Sequence, residues 1–238
     1  MGSVFGKDVS PELSPEYDVL GQGSNYEIRA YKPYLVAEVE TGADPSSEDD
    51  RFRTLAKYIG VLGSPANEGK EGEDQGEKIQ MTAPVVIGGP PPGGEREKIS
   101  MTAPVVQGPG EGAGEGPSKM MQFIMPRKFK SISELPTPTD ERVKLREVPE
   151  KLYIVRQFSG NMGTGGGHDA SAELERANTE KGVEADGGAL AEYVGEDAKY
   201  LVAKYNPPWT LPFLKTNELW FPLPLSREEV AAKLPEKQ

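Results

Sequence analysis

The stretch YEIRAYKPYLVAEVE, from Tyr26 to Glu40, repeats apolar side chains with a two-residue period. Apolar residues recur at every second position on both sides of a central proline: Tyr26, Ile28 and Ala30 before it, Leu35, Ala37 and Val39 after it. A two-residue period is typical of a β-strand that buries one face. The stretch therefore predicts two consecutive strands of an antiparallel sheet, which we expect to pair as a hairpin.

An amphipathic helix is predicted next, from about Glu48 to Ile59. Four apolar residues share one face at helical spacing, namely Phe52, Leu55, Ala56 and Ile59. Arg53 and Lys57 lie four residues apart along one side of this helix, where they are suited to hold two carboxylates. The same spacing is equally typical of a solvated basic flank.

The order strand, strand, helix, strand, strand occurs twice along the chain. In the first half, MTAPVV and the strand Met121–Met125 complete it. In the second half, four strands are predicted at Val143–Val148, Leu152–Phe158, Tyr200–Tyr205 and Leu219–Leu223. Between the second and third of these, a helix from Ala170 to about Tyr193 is interrupted by glycines and is expected to divide into two pieces. We therefore predict an α+β fold of eight strands and two helices, built from two pseudo-symmetric halves.

A decapeptide is duplicated inside the first half. EKIQMTAPVV at Glu77–Val86 recurs as EKISMTAPVV at Glu97–Val106, and the prolines favour a strand start or an edge strand. One copy is expected to supply the strand, and the sequence does not decide which. The surrounding glycine-rich and acidic sequence predicts mobile insertions at about 64–76 and 87–118.

Charge and composition exclude several classes of function. The chain has 27 basic and 38 acidic residues, a net charge of −11, and no cysteine. We therefore expect no nucleic-acid partner, no membrane insertion and no thiolate metal site, and we expect a cytoplasmic protein. The single histidine, His168, follows a glycine run that is a poor platform for an iron ligand. No Ser-His-Asp arrangement or paired acid is identifiable, so the protein is not expected to be an enzyme or to hold a catalytic metal.

Several motifs together resemble one family over most of the chain. They are YEIRAY from Tyr26, LAKYIG from Leu55, both MTAPVV copies, MQFIMP from Met121, TDERVKLRE from Thr139 and NPPWTLPFLKTNELWFP from Asn206. The sequence resembles the SOUL/haem-binding protein family. This resemblance implies a domain at 23–225, between a flexible N-terminus at 1–22 and a C-terminal tail at 226–238. It also implies a distorted antiparallel eight-stranded β-barrel flanked by two helices.

The resemblance further implies a function and a site. Family members bind haem or another porphyrin reversibly, which indicates a monomeric buffer or carrier of a tetrapyrrole. Their apolar groove is bordered by the first helix, with basic side chains that face the propionates. Carried onto this chain, the ligand-binding residues are Phe52, Arg53, Leu55, Ala56, Lys57 and Ile59, with no metal ligand assigned.

Three positions of the first helix depart from the family pattern. Phe52 and Ala56 stand where animal members often have methionine, and Asp49 stands at a basic position. These departures favour an alternative, in which the same groove binds an amphipathic peptide or another apolar ligand.

Overall fold

The structure is a computed structural model that describes residues 14–41, 47–69, 76–81, 83–88, 119–162, 170–206 and 210–234. Within these ranges the chain forms nine strands and three α-helices. The strands are β1 (Tyr17–Gln22), β2 (Glu27–Tyr31), β3 (Tyr34–Thr41), β4 (Val85–Gly88), β5 (Lys119–Ile124), β6 (Lys144–Val148), β7 (Lys151–Phe158), β8 (Leu201–Lys204) and β9 (Asn217–Leu223). The helices are α1 (Ser47–Tyr58), α2 (Ala170–Ala185) and α3 (Arg227–Lys233).

All nine strands belong to one antiparallel sheet in the order β1-β2-β7-β9-β8-β4-β5-β3-β6. Among the described residues β1 and β6 each have a single partner strand, so the sheet is a curled half-barrel with two edges. The predicted α+β class is correct, but the prediction of a closed, eight-stranded barrel with two helices is not confirmed. A physical reason is β1, a ninth strand that occupies the outer edge of β2.

The strand order follows the two halves expected from the sequence. On one side of the sheet centre lie β4, β5, β3 and β6, and on the other lie β8, β9, β7 and β2 in the corresponding order. The strand that begins each half of the sequence lies in the sheet among the strands of the other half, since β2 pairs with β7 and β6 pairs with β3.

This exchange makes the predicted hairpin of β2 and β3 wrong. Only Lys32 and Pro33 separate the two strands, yet they do not pair with each other. Two-residue hairpin turns need residues that accept positive φ, usually Asn, Asp or Gly. Proline fixes φ near −65° and disfavours a turn of that kind, so the chain crosses from one half of the sheet to the other.

The two helices α1 and α2 cover one face of the sheet. The α1 core includes Leu55 and Ile59, which pack against Ala37, Val39 and Phe123 of the sheet. A second core lies beneath α2. The opposite, concave face is filled by an aromatic cluster that contains Tyr31, Tyr34, Tyr153 and Trp220.

Both predicted termini contain regular structure near the domain. The segment predicted as a flexible N-terminus includes β1, whose pairing with β2 orders it. The segment predicted as a C-terminal tail includes α3, which begins with a capping box between Ser226 and Glu229 and buries Val230. The domain limits of 23 and 225 stay a prediction, and β1 and α3 lie outside them along the chain.

The described residues include parts of both predicted insertions and the second helix. The first decapeptide copy supplies the first two residues of β4, while the second copy, most of 87–118 and residues 70–75 lie outside the described residues. Within the first predicted insertion, Ala66 and Asn67 are held against the end of α1 by hydrogen bonds to the backbone oxygens of Lys57 and Tyr58. The second helix ends at Ala185, because Gly187 and Gly188 adopt positive φ values of 103° and 70°. A short 3-10 turn at Ala191–Tyr193 follows, as the expected division into two pieces requires.

Candidate functional site

The six residues predicted to bind ligand lie on α1 or directly after it and divide into an apolar group of four and a basic group of two. Leu55, Ala56 and Ile59 are buried and face the sheet. Phe52 is half-buried, and its ring lies 5.5 Å from the ring of Phe123 in an edge-to-face arrangement. The last two residues, Arg53 and Lys57, are exposed. The solvent-facing part of the predicted site is therefore basic, while its apolar part supports the helix from beneath.

Exposed apolar side chains begin where α1 ends. The helix ends in a Schellman motif, in which the Val61 N–H donates to the Ala56 C=O (2.9 Å) and the Gly60 N–H to the Lys57 C=O (3.0 Å). Gly60 has a φ of 78°, which a residue with a side chain rarely adopts. The turn directs the chain away from the core, so Val61 and Leu62 remain 49% and 46% exposed.

A buried asparagine then holds the next segment against the end of the helix. The Asn67 amide donates to the backbone oxygens of Tyr58 (2.6 Å) and Glu77 (2.9 Å) and accepts from the Glu77 N–H (2.8 Å). The Ile79 N–H donates in turn to the Ile59 C=O (3.0 Å). This clamp leads to Met81, which is 38% exposed. Nothing in the sequence pattern singled out Asn67, because it lies in a segment with no regular period.

A second set of exposed apolar side chains lies in the connection between β8 and β9. Leu211, Phe213 and Leu214 are all more than half exposed, with Phe213 at 65%. The pairing of Val85 with Lys204 brings this connection to the same end of the sheet as the chain that precedes β4. A bond from the Gly160 N–H to the Pro212 C=O (3.0 Å) fixes it there. Trp209, in the NPPWT part of the family motif, and His168 both lie outside the described residues.

The charges around α1 include a local ion-pair group. Arg142 contacts Asp140 and Asp50, each at 2.8 Å. Its hydrogen bonds hold the pKa of Asp140 below its ordinary value, and Lys57 contributes to the same lowering. Asp49 is exposed at the start of the helix. Positive charge is therefore available at the C-terminal end of α1 and acidic charge at its N-terminal end.

The concave face holds a buried polar network that is separate from α1. Glu218 Oε1 accepts from Arg29 Nη1 (2.9 Å), and Oε2 accepts from Tyr205 Oη and Trp220 Nε1 (both 2.7 Å). Burial alone would lower the pKa of Arg29, but Glu218 raises it above its ordinary value. Both carboxylate oxygens of Glu218 therefore have hydrogen-bond partners, so the network stabilises the sheet.

The residues that the structure describes contain neither a metal centre nor a membrane-spanning helix. In the part of the chain that the structure describes, no group of His, Cys, Asp or Glu side chains has the arrangement of a metal site. No helix in the same part is both long and apolar enough to cross a bilayer.

Comparison of the sequence with protein families gives one decisive result. The model of the family described as "SOUL heme-binding protein" matches residues 13–222. The chain belongs to the SOUL haem-binding protein family. The match covers every strand except the last residue of β9, together with α1 and α2, so the expected family is confirmed. A comparison of this SOUL protein with curated proteins gave no match.

Solved structures show a more distant likeness to this SOUL protein. They include the EcmrR C-terminal domain, at 11% identity and a TM-score of 0.47 over 87% of this chain and 96% of that one. An uncharacterized conserved protein from Listeria innocua has 14% identity and a TM-score of 0.46 over 90% and 93%. A Listeria innocua protein described as a hydrolase has 11% identity and a TM-score of 0.44 over 90% and 94%. Likeness at these TM-scores carries no information on function.

Proposed function

We propose that this SOUL protein binds haem or a related tetrapyrrole reversibly, as a buffer or carrier without catalysis, at the C-terminal end of α1. The observation that carries the proposal is the exposure of Val61, Leu62 and Met81 beside the basic residue Lys57. A tetrapyrrole has a flat apolar ring system and carboxylate side chains. Such a ligand needs an apolar surface with cations at its margin, and this end of α1 has both.

Each predicted residue has a part in this proposal. Arg53 and Lys57 face solvent and would pair with the propionates. Phe52 would contact the edge of the ring system, and the buried face of Leu55, Ala56 and Ile59 would hold the helix in place beneath it. The exposed apolar residues of the β8–β9 connection would extend the surface.

The iron is expected to contribute little to affinity. Methionine can ligate haem iron, and the thioether of Met81 lies at this surface, but a single exposed methionine is a flexible ligand. Affinity therefore depends on contacts with the ring system and the propionates. Metal-free protoporphyrin should bind about as well as haem. Haem binding that disappears in His168→Ala, while protoporphyrin binding persists, would show that axial ligation dominates.

The test is a titration of the full chain with haem and with protoporphyrin, followed by absorbance and fluorescence. Lys57→Glu places a carboxylate beside the propionates and should weaken both ligands about tenfold. Lys181→Glu makes the same charge change on the exposed side of α2 and should leave affinity unchanged.

Leu62→Glu tests the apolar part of the surface. It removes an apolar contact worth about 1.5 kcal/mol or more, so affinity should fall at least about tenfold. The matched control is Leu174→Glu, since Leu174 is an exposed leucine on α2. Equal affinities in Lys57→Glu, Leu62→Glu and both controls would place the tetrapyrrole elsewhere.

The alternative occupant of this surface is an amphipathic peptide or another apolar ligand. It is favoured by the exposed acidic residue Asp49 at the start of α1, which would repel a propionate but attract a basic peptide side chain. Absence of any porphyrin binding, together with loss of a basic amphipathic peptide's binding in Leu62→Glu, would support this alternative.

A further inference from the structure

A separate pocket of 240 Å³ lies at the corner where β2 passes into β3. Five buried side chains form most of its apolar lining, namely Tyr34, Leu35, Ile124, Met125 and Phe129. The backbone is fixed at this point, because the Met125 N–H donates to the Leu35 C=O at 2.8 Å. No residue of the proposed tetrapyrrole surface lines it.

The rim of this pocket is basic in a protein that is strongly acidic. Lys32, Arg127 and Lys130 line it together with two carboxylates, Glu16 and Glu147, so its local charge is positive while the whole chain carries −11. Glu16 is bonded to Lys32 and lies 3.5 Å from Arg127 Nη1. The hydrogen bond from Lys32 lowers the pKa of Glu16, so the rim already stabilises one carboxylate.

Arg127 is incompletely satisfied in this arrangement. Its one ion pair, among the described residues, is the long contact with Glu16, and its Nε–H is shielded from solvent without a hydrogen-bond partner in the same part of the chain. An unmet buried donor of this kind is unfavourable. A small turn of the guanidinium towards a second carboxylate would give it the two-pronged pairing that arginine prefers.

We propose that this pocket binds a small amphipathic carboxylate, with its apolar part on the floor and its carboxylate on Arg127 and Lys130. The pocket volume of 240 Å³ lies below the roughly 300–1,000 Å³ that is typical of pockets for drug-sized ligands, so it suits a smaller molecule such as one ring with a short chain. A tetrapyrrole is too large for it. The ligand is thus a free arylalkanoate or branched short-chain acid, and the site is additional to the proposed tetrapyrrole surface.

The test uses 3-phenylpropionate as the probe, with its neutral amide as the matched ligand, on the full chain by calorimetry or ligand-observed NMR. The acid should bind, and the amide should bind about tenfold more weakly, because it lacks the charge-assisted bonds. Arg127→Met should weaken binding of the acid by about the same factor and leave binding of the amide unchanged. Glu16→Gln removes the competing carboxylate and should strengthen binding of the acid.

Lys128→Met is the control, because Lys128 adjoins Arg127 in sequence but lines a different cavity. It should leave both probes unchanged, and circular dichroism should show a native fold for every variant. Equal binding of acid and amide, no binding of the acid, or equal effects of Arg127→Met and Lys128→Met would each overturn the proposal. Haem titration of the same variants should be unchanged, so failure here is distinguishable from failure of the tetrapyrrole proposal.

Discussion

Asn67→Ala tests the clamp that places Met81 beside the end of α1. The side chain is 5% exposed and makes three hydrogen bonds, two as donor and one as acceptor. Truncation leaves three backbone groups of Tyr58 and Glu77 without these partners. Each such bond contributes about 0.5–1.5 kcal/mol net, so the free energy of unfolding should fall by about 3 kcal/mol. The midpoint of thermal unfolding should then fall by about 6–12 °C.

The assay is urea and thermal unfolding of the full chain, with Asn161→Ala as the control. Asn161 is exposed, and its side chain accepts one bond from Lys215 (2.9 Å), so its loss should change stability by less than about 0.5 kcal/mol. Porphyrin affinity should fall in Asn67→Ala at temperatures where the protein remains folded, since Met81 is no longer held. A stability loss no larger than in Asn161→Ala would refute the clamp.

Two further predictions concern the concave face. Glu218→Gln leaves the guanidinium of Arg29 buried without its main counter-ion, so the free energy of unfolding in urea should fall by about 3–5 kcal/mol. Glu150→Gln, at an exposed ion pair, should change the free energy of unfolding little. Equal effects of the two variants would contradict a stabilising role of the buried pair. Burial raises the pKa of Tyr153 to about 12 and that of Tyr34 well above its ordinary value, so the folded protein keeps protons that the unfolded chain releases above about pH 10. Stability should therefore be full below pH 10 and fall as the pH rises towards 12, and equal urea midpoints at pH 8 and pH 11 would contradict this.

The spacing of apolar residues along the sequence predicted most strands of the sheet and helix α1. The alternation of Ile28 and Ala30, and of Leu35 and Ala37, identified real strands because one face of each is covered by a helix. The partners of these strands could not be predicted in the same way, since alternation fixes which face is buried and not which strand is adjacent. The failed hairpin shows the difference, and Pro33 was the one local signal against it.

The two missed elements had weaker signals of different kinds. β1 is mostly solvent-exposed along YDVLGQ, so its sequence has no regular apolar period. It is a strand because it pairs with β2. The start of α3 did have a signal, because Ser226 and Glu229 have the spacing of a capping box before an apolar residue. A short helix of this kind is recognisable from its cap before it is recognisable from its period.

The candidate site shows why periodicity is a poor guide to a ligand surface. The apolar period of α1 correctly identified a face that avoids water, but the sheet itself covers Leu55, Ala56 and Ile59. The proposed ligand can contact only apolar residues that the fold leaves uncovered, and in the described part of the chain these include Val61 and Leu62 in the aperiodic connection after a helix-ending glycine. Two consecutive apolar residues between glycines, in a chain that is otherwise acidic, are therefore the more informative sequence signal for this surface.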